Sequence, residues 1–225
     1  MIPSRTSPLH AAHAGTNATW CQLHGMPVSL RMSDGERFDP AIADVSALLR
    51  CGLKGPAAAE WLAARGLPVP DAPNRWCATG RGGLVARLGR SEYLVESAWN
   101  DTQALELALA LREPAPGVYP VPRQDCALLL RGENLRELWL QTCNVNIHDI
   151  PAQNREVTLT SMVGVSVTIL KQPLGNDTCH RIWCDGTFGA YLWETLLEVA
   201  GDLGGGAVGI ADAIPDAATL PSMAL

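Results

Sequence analysis

An internal repeat constrains the fold of this 225-residue chain more than any other feature of its sequence. Gly55 and Gly132 each follow a short apolar run that predicts a strand, and each precedes a run that predicts a helix. Farther along, "GLVARL" from Gly83 aligns with "GVSVTI" from Gly164. Each copy predicts the order strand, helix, strand, strand, helix, so the chain is built from one folding unit used twice.

The two repeats predict an α+β fold with mainly antiparallel sheets. Repeat one covers about residues 45–112, and repeat two covers about residues 126–203. Because neither repeat can cover both faces of its own small sheet, we expect the two to pack around a pseudo-two-fold axis as a single duplicated domain over 18–203. Residues 1–17 are rich in Pro, His and Ala and predict a flexible arm, and residues 204–225 predict a flexible tail.

The composition argues against several classes of function. The formal net charge is -6 and no Lys/Arg run occurs, so we expect no nucleic-acid partner. No apolar run reaches the roughly 18 residues of a membrane span, and the N-terminus lacks the apolar core of a secretory signal. The seven cysteines are scattered without a C-x-x-C pair, which favours a reducing, cytoplasmic setting over a disulfide framework.

The segment "GLKGPAAAEWLAARG" raises the question whether Gly52 and Gly55 form a phosphate-binding loop at a helix N-terminus. Their spacing is too short for G-x-x-x-x-G-K-[ST] and differs from G-x-G-x-x-G. The same glycine-then-helix pattern recurs at Gly132, as expected of a turn that belongs to the folding unit. We therefore interpret Gly55 and Pro56 as a strand-to-helix turn, and "GRGG" at 80–83 as a second glycine turn.

Histidine and cysteine side chains offer one candidate metal site. Cys179, His180 and Cys184 could bind zinc together with Cys21 and His24, because thiolate and imidazole are common zinc ligands. On a strand, however, Cys179 points away from the face that His180 and Cys184 share. A Cys–His nucleophilic pair stays open, since such pairs assemble from distant positions, whereas buried apolar cysteine is the usual state.

The remaining candidates favour structural roles. "GVSVT" at 164–168 lacks the second glycine of a serine nucleophile elbow. Asp185 stands at a strand end before a helix and predicts a cap, with a hydrogen bond to a ligand as the alternative. Leu105 and Leu109 follow helical spacing in "DTQALELALALRE". We assign no catalytic residue and no metal ligand, and the cofactor-binding residues stay unknown.

Several segments together resemble the gamma subunit family of heterotetrameric sarcosine oxidase. They are "SPLHAAHAG", "LHGMPVSLR", "DVSALLRCGLKGPAAAEWLAARGLPVP", "ARLGRSEYLVE", "TSMVGVSVTIL" and "RIWCDGTFGAYLWETLLE". "DVSALLRCGLKGPAAAEWL" is also similar to the related superfamily of the aminomethyltransferase, or glycine cleavage T protein. The resemblance implies the fold of that superfamily's folate-binding domain.

The resemblance also implies a place in a complex that oxidatively demethylates sarcosine to glycine. The partners would be alpha, beta and delta subunits, and FAD, FMN, NAD, tetrahydrofolate and zinc would be bound by those other subunits. The gamma subunit would support assembly without a catalytic site of its own. Two alternatives stay open: a stand-alone folate-binding aminomethyltransferase-like protein, and the equivalent subunit of a complex that acts on another N-methyl amino acid. A thiol or metal protein that uses Cys179, His180 and Cys184 is the third hypothesis.

Overall fold

A computed structural model describes residues 5–14, 16–32, 37–174 and 177–223 of the chain. The chain divides into two compact units. Unit 1 comprises Met1–Ala47, Asp125–Asn154 and Thr158–Leu225, and unit 2 comprises Leu48–Gln124 and Arg155–Val157. Predicted repeat one therefore lies largely in unit 2, and predicted repeat two lies largely in unit 1.

The strands in chain order are β1 (Thr19–Leu23), β2 (Met26–Arg31), β3 (Ala41–Asp44), β4 (Arg50–Lys54), β5 (Arg75–Ala78), β6 (Leu84–Arg87), β7 (Glu92–Glu96), β8 (Tyr119–Val121), β9 (Cys126–Arg131), β10 (Val157–Met162), β11 (Val165–Leu174), β12 (Asp177–Cys184), β13 (Gly206–Val208) and β14 (Ser222–Met223). The α-helices are α1 (His10–His13), α2 (Ala58–Ala63), α3 (Gln103–Ala110), α4 (Leu135–Thr142), α5 (Gly189–Asp202) and α6 (Ile210–Ala213). Short 3-10 turns cover Ala152–Asn154, Gly186–Phe188 and Pro215–Thr219. No helix within the described residues is long and apolar enough to cross a membrane.

Unit 2 is built on a five-stranded sheet in the order β5-β6-β7-β4-β8. Its paired strands are antiparallel throughout. Buried side chains from the sheet and from α2 and α3 form one core that includes Leu53, Leu62, Val85, Val95 and Leu107. The strands contribute β-branched residues and leucine to this core, which is the composition expected of a half-buried sheet packed against helices.

Unit 1 contains a six-stranded sheet in the order β10-β11-β12-β9-β3-β13 and a three-stranded sheet in the order β14-β1-β2. Strand β1 pairs antiparallel with β14 and β2, and in the larger sheet the pairs β11-β12, β12-β9 and β9-β3 are antiparallel, whereas β13 and β3 are parallel. Helices α4 and α5 place their apolar faces in the core of the six-stranded sheet, where Trp139, Trp193 and Leu196 are buried.

The α+β class and the mainly antiparallel pairing are confirmed. Each repeat contains one more strand than the sequence pattern predicted, namely β5 in unit 2 and β10 in unit 1. The order in both is strand, helix, three strands, helix, and β5-β6-β7-β4 matches β10-β11-β12-β9 in the arrangement of the sheets. The duplication is thus clearer in the topology than in the sequence.

Gly55 and Gly132 occupy equivalent places between the first strand and first helix of each repeat. Their φ angles are 126° and 130°, a region that side-chain-bearing residues rarely adopt. A Cβ on Gly55 would also collide with the carbonyl oxygen of Gly117, and one on Gly132 would collide with Asp39 Oδ1. Both glycines are therefore required by backbone geometry and close packing.

The structure differs from the prediction of flexible ends. Leu9 is fully buried next to α1, and β13 extends the large sheet by pairing with β3. Ile210 and Ala217 are buried in the segment predicted as a tail. These contacts join distant parts of the chain, so local composition does not reveal them. Residues 1–4 and 15 of the predicted arm and 224–225 of the predicted tail lie outside the described residues.

Candidate functional site

The amides of the glycine segments that resemble ligand loops are hydrogen-bonded within the protein. The amide of Gly55 donates to Ser91 O at 2.9 Å, and the amide of Ala57 donates to Gly117 O at 3.1 Å. At the second segment, the amide of Gly83 donates to Thr79 Oγ1 at 3.0 Å. With these amides engaged, little hydrogen-bonding capacity is left to hold a phosphate. The structure supports the interpretation of both segments as turns.

The candidate zinc ligands are spread over two sheets of unit 1. Cys179 and His180 are consecutive on β12, and Cys184 is at its end, whereas Cys21 is on β1 and His24 is in the turn that follows. Across residues 5–14, 16–32, 37–174 and 177–223, no group of three or more His, Cys, Asp or Glu side chains is arranged to hold a metal ion.

Most of the buried thiols are poor nucleophiles in this fold. Burial raises the pKa of Cys21 to about 11. Burial also raises the pKa of Cys51 to about 11, despite the opposing positive charge of Arg123. At neutral pH these thiols stay protonated, and the thiolate is the reactive form. Asp185 acts as a cap, because its Oδ1 accepts the amide hydrogen of Thr187 at 2.8 Å.

A buried polar cluster joins residues Ser7–His13, which we call the N-terminal arm, to β3 of unit 1. The Asp44 carboxylate accepts a short hydrogen bond from Ser7 Oγ and a 2.8 Å hydrogen bond from the amide of Ser46. His13 Nε2 lies 3.4 Å from Asp44 Oδ2, and the side chains of His13 and Asp44 are only 3% and 8% exposed.

Electrostatics of this cluster favour an ionised carboxylate. Burial raises the pKa of Asp44, but the adjacent His13 ring and the hydrogen bonds from Ser46 and Ser7 lower it, and the net direction is downward. The Ser46 hydroxyl in turn accepts the amide hydrogen of Ala127 at 3.0 Å, which ties β9 to the same cluster. A buried charge with this many donors holds the arm and two strands together.

The same cluster contains a histidine–aspartate pair, His13 and Asp44, of the type found in hydrolases, but the geometry of this pair does not fit catalysis. In a catalytic triad the imidazole contacts a nucleophile through its second nitrogen. Here His13 Nδ1 has no hydrogen-bond partner among the described residues, and the ring packs edge-on against Trp193 at a centroid distance of 5.0 Å. Sequence inspection missed this cluster because Ser7 and His13 belong to a segment that composition marks as loose.

Unit 1 also contains an open groove of about 830 Å³. Charged side chains dominate its lining, namely Arg31, Arg37, Asp39, Arg131, Glu133, Asp177 and Asp212. Two of the arginines are engaged, because Arg131 pairs with Asp177 at 3.1 Å and Arg31 pairs with Asp212 at 3.1 Å.

Folate-type cofactors fit this groove poorly. Pockets that hold ring cofactors are mostly apolar or aromatic with few polar groups. Phe38 is the aromatic residue in the lining, whereas four lining residues are acidic, namely Asp39, Glu133, Asp177 and Asp212. We therefore derive no chemistry of a bound cofactor from the groove.

No known protein-family model matches the sequence, and no curated protein sequence matches it. Solved structures do match the fold. An aminomethyltransferase T of the glycine cleavage system from Bartonella henselae superimposes with a TM-score of 0.68 at 17% identity, over 92% of this chain and 60% of that chain. A chain of the heterotetrameric sarcosine oxidase from Corynebacterium sp. U-96, in complex with pyrrole 2-carboxylate, superimposes with a TM-score of 0.60 at 19% identity. That match covers 89% of this chain and 96% of the other.

The present chain thus spans about three-fifths of the aminomethyltransferase and nearly all of the sarcosine oxidase chain. At these identities the similarity establishes architecture. The chain has the fold that this aminomethyltransferase and this sarcosine oxidase chain share.

Proposed function

We propose that this chain is the gamma subunit of a heterotetrameric, flavin-dependent sarcosine oxidase. The observation that carries the proposal is the agreement in extent with the sarcosine oxidase chain, which is covered almost end to end. The aminomethyltransferase chain, by contrast, continues well beyond the matched region. The match therefore takes in nearly all of a chain that works within a heterotetrameric sarcosine oxidase, which supports a role within a complex of that kind.

Exposed apolar side chains support a subunit role. On α3 of unit 2, Leu105 and Leu109 are 44% and 49% exposed, although they lie one helical turn apart on the same face. In unit 1, Phe188 and Tyr191 at the start of α5 are each more than half exposed. Large apolar side chains grouped on a surface are typical of protein contacts.

In the proposed complex this chain contributes to assembly and has no catalytic site of its own. Its partners are the alpha, beta and delta subunits, which hold FAD, FMN, NAD, tetrahydrofolate and zinc. The complex as a whole oxidatively demethylates sarcosine to glycine in the cytoplasm. A complex that acts on another N-methyl amino acid would use the chain in the same way.

Co-expression with and without this chain tests the proposal. The alpha, beta and delta subunits of the same organism's sarcosine oxidase are produced with an affinity tag on beta, and sarcosine-dependent oxidation is measured after purification. We expect this chain to co-purify in a stable ratio, and its omission to lower the yield of active complex. If the other three subunits assemble and oxidise sarcosine equally well without it, and it elutes alone, the proposal is wrong.

A second function, a stand-alone folate-binding aminomethyltransferase-like protein, is favoured by the higher TM-score to the aminomethyltransferase. The seven tryptophans provide a direct readout of ligand binding. Titration of the isolated chain with tetrahydrofolate would then give a saturable change in tryptophan fluorescence. A signal that stays unchanged up to millimolar tetrahydrofolate would exclude this second function.

A further inference from the structure

Two cysteines face each other across neighbouring strands of unit 1. Cys126 begins β9, Cys184 ends β12, and the antiparallel register places them directly opposite one another. Residues opposite one another in antiparallel strands have Cα atoms about 4.5–5.5 Å apart, which lies within the disulfide range of about 4.4–6.8 Å. Both side chains belong to the same buried core, and each thiol has the largest influence on the pKa of the other.

The two thiols have different environments. Cys126 is fully buried, and a Cβ on Gly189, the first residue of α5, would lie 3.1 Å from Cys126 Sγ. Cys184 is 4% exposed, and Asp185, the next residue, is at the surface. The neighbouring Cys126 thiol lowers the pKa of Cys184 by more than burial raises it. The neighbouring Cys184 thiol, followed by burial, raises the pKa of Cys126.

This pairing is specific to Cys126 and Cys184 among the described strand ladders. Cys21 lies opposite Val28, Cys51 opposite Val95, Cys77 opposite Val85, and Cys179 opposite Gln172. Cys143 forms an isolated bridge with Met162. No third His, Cys, Asp or Glu completes a metal site with the pair among the described residues. Two adjacent thiols without a metal can be joined as a disulfide when an oxidant accepts two electrons.

We propose that Cys126 and Cys184 form a redox-active dithiol, which a peroxide oxidises to a cross-strand disulfide and a dithiol reductant returns to two thiols by thiol–disulfide exchange. The Cys184 thiolate attacks one oxygen of hydrogen peroxide, the O–O bond breaks, and the second oxygen leaves as water after taking up a proton. The resulting sulfenic acid is attacked by the sulfur of Cys126, so that the S–S bond forms and the S–O bond breaks. The hydroxyl group leaves as water with the Cys126 proton. Two thiols and one peroxide thus give one disulfide and two waters.

Peptide mapping of the oxidised full-length chain tests the proposal, which does not depend on the proposed function. Trypsin releases Cys126 in "QDCALLLR" (124–131), and it releases Cys184 in the C-terminal peptide 182–225. Each of these peptides contains a single cysteine. Native protein is treated with hydrogen peroxide, quenched in acid, alkylated in denaturant without reduction, digested, and analysed by mass spectrometry. Cys179 in "QPLGNDTCHR" (172–181) is the matched control, because it is a buried cysteine of the same strand with no cysteine opposite it.

We expect the two peptides to appear joined, with the loss of two hydrogens, and to separate after dithiothreitol treatment. The Cys179 peptide should stay alkylated in both samples. In Cys126→Ser, the sulfenic acid on Cys184 has no resolving thiol, so trapping with dimedone should label the Cys184 peptide strongly. The proposal is overturned if peptides 124–131 and 182–225 are both fully alkylated under conditions that oxidise the methionines. It is also overturned if Cys184 becomes linked to another cysteine instead.

Discussion

Acid sensitivity centred on His180 is the sharpest quantitative consequence of the fold of unit 1. His180 is on β12 with its ring edge-on to Trp139 at a centroid distance of 5.1 Å. Neither ring nitrogen has a hydrogen-bond partner among the described residues, and the residue is 3% exposed. Burial, together with the positive charges of Lys171 and His148, lowers the pKa of His180 to about 3.

The sign of the effect follows from proton binding. An unfolded histidine has a pKa of about 6.5, so between about 6.5 and about 3 the unfolded chain binds a proton that the folded chain excludes. Stability therefore falls as the pH falls through this window. Each pH unit below the unfolded pKa costs about 1.4 kcal/mol, so His180 alone removes about 2 kcal/mol of unfolding free energy between about pH 7.5 and about pH 5.

Substitution of His180 tests this reasoning. His180→Leu removes both the titration and the two unpaired nitrogens, so it should be at least as stable as wild type at about pH 7.5 and gain about 2 kcal/mol relative to it at about pH 5. His180→Gln is the matched control, because it removes the titration but keeps a buried polar group. Urea unfolding followed by tryptophan fluorescence at both pH values gives the free energies. If wild type and His180→Leu lose the same unfolding free energy between the two pH values, the explanation is refuted.

Four further substitutions test three separate parts of the structure. Asp44→Asn removes the charge that anchors the N-terminal arm. We therefore expect the unfolding free energy measured with urea to fall by about 2 kcal/mol and the amides of the arm to exchange hydrogen faster. Unchanged exchange rates in the arm would contradict this role of Asp44. Val163 has φ 44° in the turn between β10 and β11, a backbone region that Asn adopts more readily than Val. Val163→Asn should therefore raise the free energy of thermal unfolding by about 0.5–1 kcal/mol. A lower Tm would show that no strain is relieved. Gly132→Ala forces a Cβ into Asp39 and should lower the unfolding free energy by about 2 kcal/mol or more. Gly201 has open space around it, so Gly201→Ala should raise the unfolding free energy by about 0.5–1 kcal/mol. Equal Tm values for the two variants would contradict the close packing at Gly132.

Helices were predictable from the sequence where one face is clearly apolar. Leu135, Leu138 and Trp139 follow helical spacing in the sequence, and they form the buried face of α4. On α3, the spacing of Leu105 and Leu109 predicted the helix, but both side chains are exposed and the buried face carries Ala104 and Leu107 instead. Because α3 is apolar on most of its circumference, its periodicity indicates a helix without selecting the face that packs.

The strands that the repeat pattern missed lie at sheet edges. β5 and β10 each have a sheet neighbour on one side, and both are short or rich in polar residues. Edge strands need less apolar surface than central strands, so their sequences carry a weaker signal. β10 illustrates this, because "VTLTSM" alternates apolar residues with Thr and Ser.

Both buried polar features depend on contacts between distant residues. The Asp44 anchor joins β3 to an arm that is more than thirty residues away in the chain. The pairing of Cys126 with Cys184 requires the register of β9 against β12, which no local pattern contains. The sequence could therefore predict the class of the fold and the role of Asp185 as a cap, but it could not bring these side chains together.

The assembly state of the chain in its source organism tests the central claim most directly. A tagged copy is purified under gentle conditions, and the intact assembly is weighed by native mass spectrometry with its subunits identified. The proposed role predicts a heterotetramer with one copy each of sarcosine oxidase-like alpha, beta and delta subunits, and flavin bound to the partners. A species at the mass of one tagged chain alone, which is 24.0 kDa plus the tag, with no flavin-bearing partner, would contradict it.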